Sequence, residues 1–311
     1  MIEIFKNPNY DFIGKRKWAY YASIAFSVIA ILSLAVKGGL RYDIDFTGGT
    51  LVQVRFEQPV RVAEIRAGLS KIGLGESVIQ QFGDPREFIL RMPLAAERPE
   101  EIGRRVQATM TGDPALGKFD IRRVEFVGPQ VGRDLQLQAV YAVLFGLVGI
   151  LLYIAVRFDL KGGVAAVIAV FHDVLVCLGA LSLTHREFSL PVLAALLTII
   201  GYSVNDTIVA YDRLRENRGK SQRGLTFAQQ MNVAVNQTLS RTILTSLTTF
   251  FSAAILLFFG GKTLEDFAFV LFIGVITGTY STTYVAAAIV VDWTNYVEGR
   301  LRRPKKAVAK A

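Results

Sequence analysis

An acidic residue and a neighbouring amide interrupt a long apolar stretch of the chain. Residues 190–210 are long enough to cross most of a bilayer as a helix, yet Asn205 and Asp206 lie within them. A carboxylate at that depth costs at least about 2.5 kcal/mol unless it faces a protein interior or a partner. Thr198 and Tyr202 fall on the same face at helical spacing. The pattern predicts a polar stripe, which is either a packing contact between helices or a site that handles protons or ions.

A second candidate group, Arg241, begins the next apolar segment, 243–259. Hydroxyl side chains continue its face of the helix at Thr245, Thr248, Thr249 and Ser252. Such hydroxyls hydrogen-bond across helices or hold water. Asp206 and Arg241 lie near the same end of their predicted helices, so we expect them to meet. The alternative is that Arg241 only extends to the lipid headgroups.

A buried carboxylate beside an arginine can act as a proton switch. Burial raises the pKa of a carboxyl group and a nearby guanidinium lowers it, each by whole units. A helix movement that separates the two groups lets the carboxylate take up a proton, and renewed pairing releases it. The membrane potential supplies about 2.3 kcal/mol per charge per 100 mV. This energy is comparable with the free energy of the required pKa change, because one pKa unit corresponds to about 1.4 kcal/mol.

His172 and Asp173 lie near the middle of a further apolar segment, 162–184. Adjacent helical residues point about 100° apart, so we do not expect them to bind one metal ion together. Each can extend a proton relay, and each can equally be a polar packing group. The predicted relay set is therefore Asp206, Arg241, Asn205, His172, Asp173 and Thr245.

Two glycine motifs are predicted to be structural. Asp45, Gly48 and Gly49 belong to a DFTGG segment in which paired glycines permit a close approach of the backbone. Gly274 and Gly278 form a GxxxG pair that favours close helix packing. No Walker, nucleophile-elbow or zinc-protease motif occurs, and the one cysteine excludes an internal disulfide framework. We therefore predict no catalytic site, cofactor or metal, and no enzymatic activity.

These groups require several membrane helices to position them. Hydrophobic residues make up 52% of the 311 and occur in blocks, which indicates a polytopic α-helical membrane protein. The predicted transmembrane helices are residues 18–37, 137–156, 162–184, 190–210, 243–259 and 267–291. The last five form a predicted membrane domain, 134–295.

Residues 38–133 differ sharply from these blocks. They carry 14 Lys or Arg and 13 Asp or Glu, and their hydrophobic periodicity alternates between strand and helix. The predicted order is strand, helix, strand, strand, helix, strand, which is the ferredoxin-like α+β arrangement. The sequence predicts a globular domain inserted between the first and second membrane helices.

The distribution of positive charge predicts the orientation. The tails, 1–17 and 296–311, together with the two loops on the same side, hold 17 Lys or Arg, whereas the opposite short loops hold two. Both termini are therefore predicted to be cytoplasmic and residues 38–133 extracytoplasmic. The net charge of +9 reflects this topology, so no nucleic-acid partner is predicted.

Several stretches together resemble the SecF branch of the SecD/SecF family of the RND superfamily. They run in order from about residue 38 to 295. They read DFTGG (45–49), VGPQVG (127–132), RFD (157–159), HDV (172–174), GYSVNDTIVAYDRLREN (201–217), NQTLSRTILTSLTT (236–249), FGG (259–261) and GTYST (278–282).

The resemblance implies one six-helix half of an RND-type assembly whose other half is SecD. It implies a complex in the bacterial inner membrane that associates with the SecYEG channel. That complex uses the proton-motive force to help export unfolded preproteins after the ATP-dependent step. By motif, Asp206 and Arg241 match the family residues tied to proton conduction. A lipid or small-molecule RND exporter and a non-conducting structural adaptor remain as alternatives.

Overall fold

Helices form most of the chain in the computed structural model, which describes residue 5 and residues 8–92, 99–111, 113, 116–219 and 224–301. Some of the charge that predicts the orientation lies outside the described residues, namely Lys6, Lys220, Arg223 and the tail beyond Leu301. In chain order the elements are α1 (Arg16–Val36), β1 (Arg41–Tyr42), α2 (Ile44–Thr47), β2 (Gly49–Phe56), α3 (Val62–Ser70), β3 (Val78–Gln81), β4 (Glu87–Met92), α4 (Pro99–Thr111), β5 (Phe119–Val127), α5 (Pro129–Arg157), α6 (Leu160–Leu183), β6 (Glu187–Phe188), α7 (Leu190–Gly219), α8 (Phe227–Phe259), α9 (Lys262–Ser281) and α10 (Ala287–Leu301), with a π-helix (Thr282–Ala286) joining the last two.

Six helical segments of the described chain are long and apolar enough to cross a membrane, which confirms the predicted six-helix architecture. They are α1, α5, α6, α7, α8 and the continuous α9–α10 segment. The helix that contains the apolar segment 243–259 begins earlier, at Phe227, because the Thr226 hydroxyl accepts from the Gln229 N–H and forms a capping box. Arg241 therefore lies in the middle of a 33-residue helix.

Helices α6, α7 and α9 form the centre of the bundle. About half of each span is buried, whereas α5 and α8 expose most of their apolar surface. Gly274 and Gly278 of α9 both face α7: a Cβ at Gly274 would lie 2.4 Å from Ile199, and one at Gly278 would lie 3.1 Å from Ser203. The missing side chains allow α9 to approach the helix that carries Asp206.

Replacing Gly274 with valine should destabilise this contact. The added side chain overlaps Ile199, and overpacking of a tight core typically costs about 1–3 kcal/mol. We expect the free energy of unfolding, measured by mixed-micelle denaturation, to fall by that amount. Gly146→Val is the control, because no atom lies within 4 Å of a Cβ at Gly146. Equal effects of the two changes would contradict the assignment of Gly274 to a close helix contact.

The inserted domain is a four-stranded sheet in the order β3-β4-β2-β5, with every neighbouring pair antiparallel. This order confirms the predicted ferredoxin-like arrangement. Alternate strand residues such as Val52, Val54 and Leu90 are fully buried against Ile65 of α3 and Val106 of α4. The domain thus has its own core, separate from the core of the membrane helices.

Candidate proton site in the membrane helices

The Asp206 side chain lies inside the helix bundle. It is 4% exposed, and its Oδ2 atom is buried with no hydrogen-bond partner in the part of the chain that the structure describes. An ionised carboxylate in such a place is expensive unless another charge compensates it, whereas a protonated one costs far less. The free energy of the folded bundle therefore depends strongly on whether Asp206 is ionised or protonated.

Arg241 carries the positive charge that could compensate the Asp206 carboxylate. Among the ion pairs of the described residues, none joins it to Asp206, yet its guanidinium is close enough to act on that carboxyl electrostatically. Arg241 is exposed and forms part of the wall of an open cleft of about 1080 Å³ between α5, α7 and α8. The two groups are therefore coupled through space rather than by direct contact.

The cleft has a mixed polar and apolar lining and reaches the neighbour of the buried acid. Asn205, the neighbour of Asp206, lies in its wall with Arg157, Asp212 and Arg213. Asp212 pairs with Arg157 at 2.8 Å in the exposed region. An open cleft lined by charged side chains thus reaches the residue next to Asp206 from the end of the bundle where the charged loops lie.

The polar face predicted on α7 divides into two parts in the structure. Thr198 and Asn205 are exposed, whereas Asp206 is buried and the Tyr202 hydroxyl is buried without a hydrogen-bond partner among the described residues. Consecutive helical residues point about 100° apart, and the packing of α7 against its neighbours buries the side on which Asp206 lies and leaves Asn205 exposed. Gly201 has open space on the same exposed side as Thr198. A polar face on the outside of a membrane bundle indicates a protein neighbour rather than lipid.

The hydroxyl side chains that follow Arg241 bond mainly within their own helix. The Thr245 hydroxyl donates to the carbonyl oxygen of Arg241 at 3.0 Å, and those of Thr248 and Ser252 also donate to carbonyls one turn earlier. Thr248 and Ser252 are exposed. The structure therefore places Thr245 beside Arg241 without a side-chain link to Asp206.

Asp173 is the most buried acid of the bundle, with no exposed surface. Its Oδ2 atom accepts from the Ser203 hydroxyl of α7 at 2.7 Å and from the Ser281 hydroxyl of α9 at 2.6 Å. Its Oδ1 atom lies 3.1 Å from His172 Nδ1. Hydrogen bonds to a carboxylate in a dry site are strong, so this group links three helices at their centre.

His172 is buried beside this network. Its Nε2 atom has no hydrogen-bond partner within the described ranges, and its ring lies 6.2 Å from the ring of Tyr280. Tyr280 in turn donates to the carbonyl oxygen of Ala19 in α1. His172 therefore connects the centre of the bundle towards α1, while Asp206 lies on the other side of Ser203.

Sequence reasoning missed the π-helix at Thr282–Ala286. It begins directly after Ser281, and the Thr282 hydroxyl lies 3.2 Å from that of Thr207, the residue after Asp206. π-Helical turns frequently occur at functional sites. The run of three hydroxyl residues at 281–283 is the one signal in the sequence that pointed to this place.

The DFTGG segment joins the inserted domain to the membrane helices. Asp45 Oδ2 accepts from the backbone N–H of Leu190, the first residue of α7, at 3.1 Å. Gly48 and Gly49 adopt positive φ angles of 71° and 132°, which non-glycine residues rarely adopt. A Cβ at Gly49 would lie 2.7 Å from the Met92 carbonyl oxygen. The glycines therefore allow backbone to touch backbone at this junction.

Burial raises the pKa of two carboxyl groups at the same junction. For Asp45 the loss of solvation outweighs the stabilising N–H of Leu190, and the negative charge of Asp43 adds to the upward shift in pKa. For Glu187 burial likewise outweighs the positive charge of Arg91 and raises the pKa. Acidic side chains that remain at a buried junction despite the cost of desolvation indicate a role in positioning the segments that meet there.

Comparison with known proteins identifies the relatives of the chain. Residues 108–296 match the family model described as "Protein export membrane protein SecD/SecF, C-terminal", and residues 33–60 match the "SecD/SecF GG Motif". The protein translocase subunit SecF of Desulfurispirillum indicum is 45% identical over 94% of this chain and 94% of its own length. That of Calditerrivibrio nitroreducens is 43% identical over 93% and 96%.

The fold resembles that of one part of a longer relative. A crystal structure of SecDF, described as a translocon-associated membrane protein of Thermus thermophilus, has a TM-score of 0.81 and 44% identity over 93% of this chain. SecDF in its super-membrane-facing form has a TM-score of 0.70. This chain spans 39% of the first of those chains and 40% of the second. The chain is thus a multi-pass membrane protein that belongs to the SecD/SecF family of protein export membrane proteins.

Proposed function

We propose that this chain is the SecF-type subunit of a proton-driven complex that assists the export of preproteins. Membership of the SecD/SecF family assigns it an accessory role in protein translocation, and that role is a non-enzymatic one. The observation that supports the proton-driven part is Asp206, a buried carboxyl group whose Oδ2 atom has no hydrogen-bond partner among the described residues and whose neighbour Asn205 lines an open cleft. We further propose that preproteins leave through the SecYEG channel and that the complex acts after the ATP-dependent step.

The proposed cycle alternates between two states of Asp206. A proton from the outer side neutralises the carboxylate, which relieves the cost of its burial and releases the attraction of Arg241. A helix movement then brings the guanidinium closer, and the carboxyl group gives its proton to the cytoplasmic cleft. The membrane potential contributes about 2.3 kcal/mol per charge per 100 mV, enough to bias such a switch.

SecD is the proposed partner in the membrane. The exposed amide of Asn205 on α7 and the exposed guanidinium of Arg241 on α8 favour a polar covering surface that lipid does not provide. SecDF of Thermus thermophilus holds a chain that is similar to this one within a protein more than twice as long. A SecD chain against α5, α7 and α8 would close the cleft and complete a pseudo-symmetric pair of six-helix halves.

We place the complex in the bacterial inner membrane with both chain ends in the cytoplasm and the ferredoxin-like domain outside. The bias of Lys and Arg supports this orientation. In this orientation the cleft beside Asn205 opens towards the cytoplasm, and the inserted domain stands where an emerging preprotein can reach it.

A reconstituted system tests the proposal. Proteoliposomes with SecYEG, SecD, this chain and the ATP-driven motor should export preprotein faster when a proton gradient is imposed, and omission of this chain should remove the increase. Lipid or small-molecule efflux should not respond to the gradient. An export rate that ignores the gradient would favour a structural adaptor, and gradient-dependent efflux would favour another type of RND exporter.

The role of Arg241 can be tested by its charge. Because it acts on Asp206 without a direct ion pair, a lysine should preserve most of the effect, although the two side chains are not interchangeable in bidentate contacts. We expect Arg241→Gln to lose gradient-dependent export and Arg241→Lys to retain a large part of it. Equal activity of Arg241→Gln and the unchanged protein would show that Arg241 only extends to the headgroups.

A further inference from the structure

The outer end of α7 is held by the inserted domain through several contacts within residues 187–190. The Asp43 N–H donates to the carbonyl oxygen of Phe188 at 3.1 Å, where β1 and β6 pair in parallel. Asp45 accepts from Leu190 N–H, and the Arg91 guanidinium forms an ion pair with Glu187. We call Asp43, Asp45, Arg91, Glu187 and Leu190 the junction clamp.

Arg91 is the member of the clamp that belongs to the sheet. It lies on β4, and its Nε atom is 3.2 Å from Asp43 Oδ1, in addition to its pairing with Glu187. The side chains of this charge triad are each only 14–20% exposed. Ion pairs with restricted access to water are screened less and depend more on geometry than surface pairs do.

The Phe46 side chain of the same segment packs into the hydrophobic core of the membrane helices. It is 2% exposed and packs against Phe188, with ring centroids 5.2 Å apart. Its carbonyl oxygen accepts from Gln136 of α5 at 2.7 Å, and a Cβ at Gly132 would lie 2.9 Å from that oxygen. The segment is thus fixed to α5 as well as to α7 through close backbone contacts.

The C-terminal end of the DFTGG segment continues directly into the sheet. Gly49 begins β2, a central strand paired with both β4 and β5. At the membrane end, Asp206 lies on α7 itself, about 24 Å along the helix from Leu190 at 1.5 Å per residue. A helix is stiff over this length, so an axial shift or a rotation of α7 at Asp206 also displaces Leu190.

We propose that the junction clamp is the mechanical link by which α7 moves the extracytoplasmic sheet when the protonation of Asp206 changes. The inference rests on the proposed proton-driven function. It assigns to Arg91, Asp43, Asp45 and Glu187 a positioning role: these residues hold no proton for transport, and they transmit a displacement of α7 to β2 and β4.

Hydrogen exchange in the reconstituted complex with SecD and SecYEG tests the link. In the unchanged protein, imposing a proton gradient should alter exchange both in residues 200–210 and in β2 and β4. In Arg91→Glu we expect the response of residues 200–210 to persist and the response of the sheet to disappear. Gradient-dependent export should fall by about fivefold or more, because coupling between sites usually corresponds to about 5- to 150-fold.

Three further variants make the result specific. Arg91→Glu combined with Glu187→Arg restores the ion pair and should recover both the sheet response and export. Arg61→Glu is the matched control, because Arg61 is highly exposed and pairs with Glu64 on its own helix. If Arg91→Glu does not assemble with SecD, Glu187→Gln removes the same ion pair. The same hydrogen-exchange and export measurements on that variant then test the link.

The outcomes separate this inference from the proposed function. A sheet response in Arg91→Glu and in Glu187→Gln equal to that of the unchanged protein would overturn the clamp and leave the proton site intact. A persistent response of residues 200–210 in Asp206→Asn would overturn the proposed function, and the clamp as a transmitter of that signal would fall with it.

Discussion

Asp206→Asn is expected to abolish the gradient-dependent part of preprotein export while the ATP-driven part continues. The amide has nearly the same shape as the carboxyl group, so the helices can keep their packing, but it cannot take up or release a proton. It also removes the charge on which Arg241 acts. The measurement is the export rate in vesicles with and without an imposed proton gradient, at saturating ATP.

Asp212→Asn is the matched control for this prediction. It is the same chemical change on the same helix, but the Asp212 side chain is exposed and pairs with Arg157 in the cleft mouth. Exposed ion pairs contribute about 0–1 kcal/mol, so we expect only a small effect on export. If Asp206→Asn retains the full response to the gradient, or if both variants lose it equally, the special role of Asp206 is wrong.

Asp173→Ala is expected to have the largest effect on stability. It removes the acceptor for the Ser203 and Ser281 hydroxyls, and both lie in a buried region. Each buried polar group left without a partner costs about 1–3 kcal/mol. The Ser281 hydroxyl keeps the Gly278 carbonyl oxygen as an acceptor, so the groups left without their partner are the Ser203 hydroxyl and His172 Nδ1. We therefore expect the free energy of unfolding in mixed micelles to fall by about 2–6 kcal/mol, with weaker packing between α6, α7 and α9.

Asp173→Asn separates the two roles that the sequence left open for this residue. The amide keeps the volume and one acceptor oxygen, so its effect on stability should be smaller than that of Asp173→Ala. If Asp173 only joins helices, gradient-dependent export should survive in Asp173→Asn. A stable Asp173→Asn protein without gradient-dependent export would instead assign Asp173 to the relay, and an unchanged stability of Asp173→Ala would contradict the packing role.

The sequence predicts the architecture well where one physical signal dominates. Apolar blocks of bilayer length predict six spans, because the length of a helix that crosses a membrane is set by the bilayer. Alternating residues such as Val52 and Val54 predict strands of the inserted domain, since one face of that sheet is buried against helices. Both signals are local and need no knowledge of tertiary contacts.

The site is less predictable because it depends on which helices meet. Helical spacing places Asn205 and Asp206 together, but only the packing of α7 against α6 and α9 decides that the first is exposed and the second buried. The hydroxyl run after Arg241 predicted a lining for a proton path. In the structure the Thr245 hydroxyl bonds to its own helix. Ser203, the link between Asp173 and α7, lies in the stretch 201–217 that carries the family resemblance, but nothing in the sequence shows that its hydroxyl faces Asp173.

The junction clamp and the π-helix could not be found by pattern alone. Arg91 and Glu187 are nearly a hundred residues apart and occur in segments that each look like ordinary surface. The π-helix depends on a single extra residue in a turn, whose position is set by contacts such as that between Thr207 and Thr282. Long-range pairing of this kind becomes visible only when the chain is folded.

Proton flux through the reconstituted complex tests the central claim most directly. Proteoliposomes that contain SecD and this chain are given a pH difference, and the internal pH is followed with a fluorescent dye. We expect proton flux that depends on this chain, is lost in Asp206→Asn, and persists in Asp212→Asn. Flux of equal size with Asp206 and with asparagine at that position would contradict the claim that this buried carboxyl group carries the proton.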